Sequence, residues 1–318
     1  MNKQRLTIHE DEMTVIAPGV ATPGALLRGT LLVPDAGAGP DGGGPPVVLI
    51  IAGSGPTDRD GNSPILPGKN DSLRMVAHAL GENGIASLRF DKRAIGASVW
   101  QGLTEESLTL DGYAMDAAAW IAQLRADSRF SRVFVLGHSE GGLIASLAAL
   151  SRPVDGEIVV ATLGETYQDT ILNQLTAAAP ALAEQSRPIV AELVAGRQVK
   201  DVPEMLMQLF RPSVQPFLIS AFRHNPADAI AAVRAPVLIL QGDRDLQVNP
   251  AHAELLSAAR AALAAKFPTE KVIVPGMNHV LKEVAGDRES NERAYSDPTL
   301  PVAQTLVDAL VAFIRRNS

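Results

Sequence analysis

Short apolar runs and segments of helical period take turns along this chain. Residues 47–52, Val-Val-Leu-Ile-Ile-Ala, form an unbroken apolar run that stops at Gly53, the pattern of a strand covered on both faces. Similar runs at 85–90, 133–136, 157–163, 237–240 and 272–274 predict further strands, and 26–33 predicts an earlier one. Between them, residues 72–82 have helical spacing, and Tyr113, Ala117, Trp120, Ile121 and Leu124 recur at intervals that put them on one helix face. Helices are also expected over 143–150 and 251–263, and over a closing segment in which Leu306, Leu310 and Phe313 share a face. Strands alternating with helices predict the α/β class, with a mostly parallel sheet.

The alternation stops between Glu165 and Arg234. This segment is rich in Leu, Met, Phe and Ala and is broken by Pro180, Pro188, Pro203, Pro212, Pro216 and Pro226, so several short helices are expected. The predicted organisation is therefore a core of residues 1–164 and 235–318 with a helical cap inserted over 165–234. Residues 35–46 are rich in Gly and Pro and predict an exposed loop.

Composition narrows the partners. With 318 residues, 46% hydrophobic and 20% charged, the chain can bury one large core with an insertion. Its net charge of −7, without any dense Lys/Arg cluster, argues against nucleic acid as a partner. There is no cysteine, which excludes disulfides, thiolate metal sites and cysteine nucleophiles. The first twelve residues are polar, and no run of 18 or more apolar residues follows, so a soluble, cytoplasmic protein with no membrane partner is expected. Neither G-x-x-x-x-G-K-[ST] nor G-x-G-x-x-G in a strand-to-helix setting occurs, and no cofactor or metal is anticipated.

The strongest chemical signal is Gly137-His138-Ser139-Glu140-Gly141. It is a G-x-S-x-G pattern between a predicted strand and a predicted helix, the setting in which a serine is pushed out on a strained turn. A serine hydroxyl needs a base and a carboxylate to orient that base. Of the six histidines, His279 lies in a loop after the last predicted strand, where the order serine, acid, histidine puts the base. His252 falls inside a predicted helix and His138 at the variable position of the turn, so both are expected to be structural or surface residues. Asp243 and Asp245, in the loop after strand 237–240, compete for the acid. Two backbone donors are needed for a developing oxyanion: the amide of Glu140, directly after the serine, and an amide of the Gly53-Ser54-Gly55-Pro56 loop, for which Ser54 is the choice.

These residues together resemble the α/β-hydrolase superfamily over most of the chain outside the cap. Gly53-Ser54-Gly55-Pro56-Thr57-Asp58-Arg59-Asp60-Gly61-Asn62, taken with Gly137-His138-Ser139-Glu140-Gly141-Gly142, resembles a group of bacterial serine esterases. The resemblance selects Asp245 by the G-x-x-D-x-x-V spacing of the acid loop and implies a Ser139-His279-Asp245 triad. It further implies hydrolysis of a small-molecule carboxylic ester, with a short to medium acyl or an aryl group, through an acyl-enzyme. An acyltransferase, a thioesterase, a peptidase or a ligand-binding receptor would use the same scaffold. Two departures stand out: Ala52-Gly53 replaces the His-Gly common before the oxyanion residue, and Ala94 stands where glycine is common. Asp58, Arg59, Asp60, Lys92 and Arg93 are either a charged brace beside the site or solvated loop charges. The apolar residues of the cap, among them Leu206, Phe210, Phe217 and Phe222, either line a pocket or form the cap's own core.

Overall fold

Eight strands among the described residues join in one sheet: Ile8–Ile16 (β1), Leu26–Pro34 (β2), Val47–Ile51 (β3), Ala86–Phe90 (β4), Val133–His138 (β5), Gly156–Val160 (β6), Val237–Gly242 (β7) and Thr269–Val274 (β8). The computed structural model describes residues 6–35, 43–285 and 287–318, so most of the loop expected over 35–46 lies outside the described residues. The strand order is β1-β2-β4-β3-β5-β6-β7-β8. β1 and β2 run antiparallel to their neighbours, while β4, β3, β5, β6, β7 and β8 are parallel.

The central strands are apolar throughout because helices cover both faces, and β3 to β7 are buried at every position. The two-residue period of a strand divides them: Val47, Leu49 and Ile51 enter one core, Val48 and Ile50 the other. The second core is closed by Ser72–Glu82 (α1) and by the C-terminal helix, where Phe313 meets Phe134 edge-on at 6.3 Å. The first is closed by Leu110–Ala126 (α2), whose Trp120 packs on Phe90 at 5.8 Å, and by Glu140–Ser151 (α3). This is the α/β-hydrolase architecture.

Between β6 and β7 the chain is helical: Tyr167–Ala178 (α4), Pro180–Val194 (α5), Met207–Phe210 (α6), Gln215–Ala221 (α7) and Pro226–Ala232 (α8). Pro180 and Pro226 occupy first helical positions, where a missing N–H costs nothing. α8 packs on α3 and on Ala251–Ala259 (α9), so the last helix of the insertion belongs to the flank of the sheet. Arg288–Arg293 (α10) and Gln304–Arg316 (α11) end the chain. Leu206 and Phe210 are completely buried and Phe222 nearly so, which makes them interior residues of the insertion. Among the described residues no helix is long and apolar enough to cross a membrane.

Some elements differ from expectation. β1 was not anticipated: its sequence IHEDEMTVI carries three acidic residues in a row, as only a strand with water beside it can. α3 starts at Glu140, directly on the serine, and not at residue 143. The helix expected over 251–263 ends at Ala259 and gives way to a short 3-10 turn.

One core group titrates out of place. Glu157 of β6 is fully buried; its Oε1 accepts from Ser146 Oγ at 2.5 Å, and its Oε2 has no hydrogen-bond partner among the described residues. Burial, opposed by Ser146 and Arg260, pushes its carboxyl from 4.5 up to about 7. The unfolded chain therefore releases a proton near pH 4.5 that the folded chain keeps to about pH 7, and stability falls as pH rises through that window. Glu157→Gln removes the penalty, so its urea-unfolding stability should match wild type near pH 5 and exceed it near pH 8 by on the order of 1–3 kcal/mol. A gap that stays constant with pH would exclude titration of Glu157 in this range.

Candidate active site

Ser139 stands at the turn from β5 into α3 with φ 55° and ψ −121°, a conformation that costs a residue with a side chain roughly 1–3 kcal/mol. The turn survives because its neighbours lack side chains. A Cβ on Gly137 would sit 2.1 Å from the Gly141 carbonyl oxygen, and one on Gly141 would sit 2.4 Å from that of Ile51. β3, β5 and α3 thus cross at backbone contact. The Ser139 amide donates to the Val160 carbonyl at 2.9 Å, and its half-buried side chain has no hydrogen-bond partner among the described residues.

Asp245 and His279, 34 residues apart, come together beyond the ends of β7 and β8. His279 Nδ1 lies 2.8 Å from Asp245 Oδ2, with both side chains buried. Asp245 also accepts from the amides of Gln247 and Val248, at 2.8 and 2.9 Å, and from Gln241 Nε2 at 3.2 Å. Burial alone would raise its carboxyl, but His279 and these amides together hold it below its ordinary value. An ionised Asp245 keeps the proton on Nδ1 of His279, which leaves Nε2 as the basic nitrogen. Asp243 plays a different part: it accepts from the Gly276 amide at 2.8 Å and braces the turn that leads to His279.

His138 ties the serine turn to this pair. Its Nε2 donates to the His279 carbonyl at 2.7 Å, and the two rings lie 5.0 Å apart. Burial, then the proximity of His279, lower it to about 3, so it is neutral. A carbonyl only accepts, so the His138 proton is on Nε2. His252 is also structural: its Nδ1 accepts from the Gly164 amide at 3.0 Å. The remaining histidines, His9, His78 and His224, lie within hydrogen-bond distance of Asp35, Glu10 and Asp111, at 3.1, 3.1 and 2.7 Å.

The oxyanion candidates lie on either side of the serine. Glu140 is the first residue of α3, where an amide has no helical acceptor. Ser54 follows Gly53, at which a Cβ would lie 3.2 Å from the Ser139 Cβ. The Ser54 amide donates to nothing among the described residues, while its carbonyl accepts from Thr57 Oγ1.

The loop charges form a brace and are largely buried. Arg59 pairs with Asp91 at 2.9 Å, Arg89 with Asp60 at 2.6 Å and Arg93 with Asp116 at 2.6 Å. Lys92 donates to the Gly53 carbonyl and pairs with Glu140 Oε1 at 3.2 Å, and Glu140 Oε2 accepts from Tyr167 Oη at 2.6 Å. Asp58 caps its own loop by accepting from the amides of Asp60 and Asn62. Sequence reasoning did not find Asp91, Asp116, Tyr167 or the Glu140 carboxylate. Only Asp91, at the end of a predicted strand beside two basic residues, carried a signal.

A cavity of about 580 Å³ opens beside Gly55, Pro56 and Glu140. Its wall includes Ile65, Leu103, Leu108, Tyr113, Val214 and Phe217, with Glu105 and Arg211 at one side. Glu105 accepts from Arg211 and from Ser213, so a helix of the core and the inserted segment meet there. Among the described residues no group of three or more His, Cys, Asp or Glu is disposed to hold a metal ion.

Fold, strained serine turn and buried imidazole–carboxylate pair define a protein of the α/β-hydrolase class. The model of the family described as serine aminopeptidase, S33, matches residues 67–283, and the chain belongs to that family. Esterase EstD of Thermotoga maritima is 25% identical over 268 residues, which are 80% of this chain; the chain spans 59% of the length of that curated relative. A hypothetical protein of Pseudomonas aeruginosa, PA2218, superposes with a TM-score of 0.61 at 16% identity, covering 98% of this chain and 94% of that one. Est1E of Butyrivibrio proteoclasticus, solved with ferulic acid, gives 0.57 at 18% identity over 96% and 98%. These structural likenesses are likenesses of fold.

The unusual Ala94 has a conformational consequence. It is exposed and adopts φ 66° in the turn after Lys92, closed by its amide on the Ser98 carbonyl at 3.0 Å. A left-handed backbone costs a residue with a Cβ roughly 1–2 kcal/mol, and glycine escapes that cost at some expense in unfolded-state entropy. Ala94→Gly should therefore raise unfolding stability by about 0.5–1 kcal/mol in urea titrations. A loss of stability would mean that the turn is relaxed with alanine in place.

Proposed function

We propose that this chain is a serine hydrolase of carboxylic esters, in which Ser139 attacks, His279 accepts its proton and Asp245 steadies the imidazolium. The observation that carries the reading is the 2.8 Å contact between His279 Nδ1 and Asp245 Oδ2, buried beside the turn that presents Ser139. It directs the basic face of the imidazole to Nε2, the nitrogen a serine base needs. The amides of Ser54 and Glu140 receive the oxyanion of the tetrahedral intermediate. The intermediate collapses with cleavage of the ester C–O bond, and the alcohol leaves with the proton that His279 took; water then attacks the acyl-serine with His279 again as base, and the acid leaves as Ser139 regains its proton.

The cavity beside Glu140 takes one arm of the substrate, with α6, α7 and the residues between them on its wall. Its volume of about 580 Å³ and its apolar wall suit a short or medium acyl chain or an aryl group. The pairing of loop 53–62 with turn 137–142, and the relation to EstD, favour ester chemistry. The family's description as aminopeptidases raises peptides as a second substrate class. An aminopeptidase must hold the α-ammonium of its substrate, and the two carboxylates on the cavity wall are already engaged: Glu105 by Arg211, Glu140 by Lys92. The cavity therefore favours neutral arms and esters.

The expected result for Ser139→Ala is a folded protein that hydrolyses p-nitrophenyl butyrate at the uncatalysed rate. A fluorophosphonate probe should label Ser139 in wild type and leave the variant unlabelled. Activity that persists in Ser139→Ala, or wild-type protein that resists the probe, would reject the assignment. Faster turnover of aminoacyl p-nitroanilides than of p-nitrophenyl esters would move the reading to a peptidase.

A further inference from the structure

Lys92 is only 1% exposed, at the end of β4. Burying an ammonium costs several kcal/mol even when it is paired, and an apolar residue of similar size is often as stable or more so. Stability alone gives no reason for a lysine here. Its contacts do. Nζ donates to the carbonyl of Gly53 and pairs with Oε1 of Glu140 at 3.2 Å.

The Gly53 carbonyl and the Ser54 N–H belong to one peptide group, which is planar and trans. They point in opposite directions, so whatever holds the carbonyl also aims the N–H. Gly53 gives that peptide little restraint of its own, since glycine tolerates most backbone angles. It is nonetheless required, because a Cβ there would press on Ser139. The restraint has to come from outside the loop, and the ammonium supplies it. A cation on the carbonyl also polarises the amide, so its N–H becomes a stronger donor.

Glu140 completes the device. Its backbone amide is the second oxyanion donor, its Oε1 holds Lys92, and its Oε2 accepts from the phenol of Tyr167 on α4. Burial, reinforced by the charge of Glu140, raises that phenol well above its ordinary value, so it stays a donor. We propose that Lys92 is a positioning residue, which aims and polarises the Gly53–Ser54 peptide toward the developing oxyanion, with Glu140 clamping the ammonium and Tyr167 linking the clamp to the inserted helices. The proposal rests on the reading of Ser54 and Glu140 as oxyanion donors.

Loss of a group that acts on an oxyanion donor lowers kcat and leaves ground-state binding alone. In the full chain, Lys92→Met should lower kcat on p-nitrophenyl butyrate about 10- to 100-fold, with KM within about threefold of wild type. A trifluoromethyl ketone, which forms a hemiketal oxyanion on the serine, should lose affinity in parallel with kcat. The matching methyl ketone with the same phenethyl group should bind unchanged. Lys92→Met leaves Glu140 buried without its cation, so Lys92→Met/Glu140→Gln, neutral throughout, puts the same question to a protein with no unpaired charge. A kcat near wild type in either folded variant overturns the proposal. So does an equal loss of affinity for both ketones, which marks general damage to the site. Wild-type protein that hydrolyses no ester, or a Ser139→Ala variant that does, rejects the underlying serine reading instead, and the two failures are distinguishable.

Discussion

A charge taken out of water must meet an opposite charge or donors aimed at it, and this protein gathers such charges at the carboxyl edge of its sheet. Asp245 with the Nδ1 of His279, Lys92 with Glu140 and Arg59 with Asp91 lie beyond the ends of β4, β5, β7 and β8 or in the loops beside them, and Arg93, in the loop after β4, meets Asp116 of α2. Each pair fixes the path of two chain segments at once. The Arg59–Asp91 pair ties loop 53–62 to the end of β4, and Asp91 is anchored again by the Ala97 amide at 2.9 Å. The loops around the candidate site are thus tied to one another and to the sheet through charge-matched pairs.

The sheet and the main helices were readable because burial on both faces leaves unbroken apolar runs, as in 47–52 and 133–136, and burial on one face leaves the helical period of Tyr113 to Leu124. The turn at Ser139 was readable for another reason: backbone crowding at the crossing of β3, β5 and α3 demands Gly137 and Gly141. β1 escaped notice because an edge strand need not be apolar. The partners of the loop charges escaped because they are set by tertiary approach. Nothing local to Tyr167 marks it as a donor to Glu140, 27 residues earlier, and nothing in Asp116 marks it as the partner of Arg93. The choice between Asp243 and Asp245 shows the limit most clearly. Both are carboxylates in one short loop; the residue types alone do not separate them, the spacing that the resemblance supplies favours Asp245, and the return of the chain after β8 brings Asp245 to His279 and Asp243 to the Gly276 turn.

Polar contacts that join the inserted helices to the core include Tyr167 on Glu140, Arg211 and Ser213 on Glu105, and Ser220 and His224 on Asp111. The last pair of contacts falls at the start of α2 and the first at the start of α3, so two helices that pack on the sheet receive the insertion at their N-terminal ends. Apolar contact of Phe217 with Tyr113, at 5.7 Å, lies between these points. The inserted helices are therefore attached through a directional bond, from Tyr167, to the helix that begins directly after Ser139.

β1 leaves one row of backbone donors and acceptors open at the margin of the sheet. Its consecutive Glu10, Asp11 and Glu12 occupy that margin. Glu10 meets Arg89 and Glu12 meets Arg59, so two copies of the chain that tried to extend the sheet through this side would have to press these charged side chains against each other, and charges on an edge strand oppose such pairing. The residues that hid this strand from its sequence pattern also protect the molecule from recruiting its own copies into a continuous ribbon.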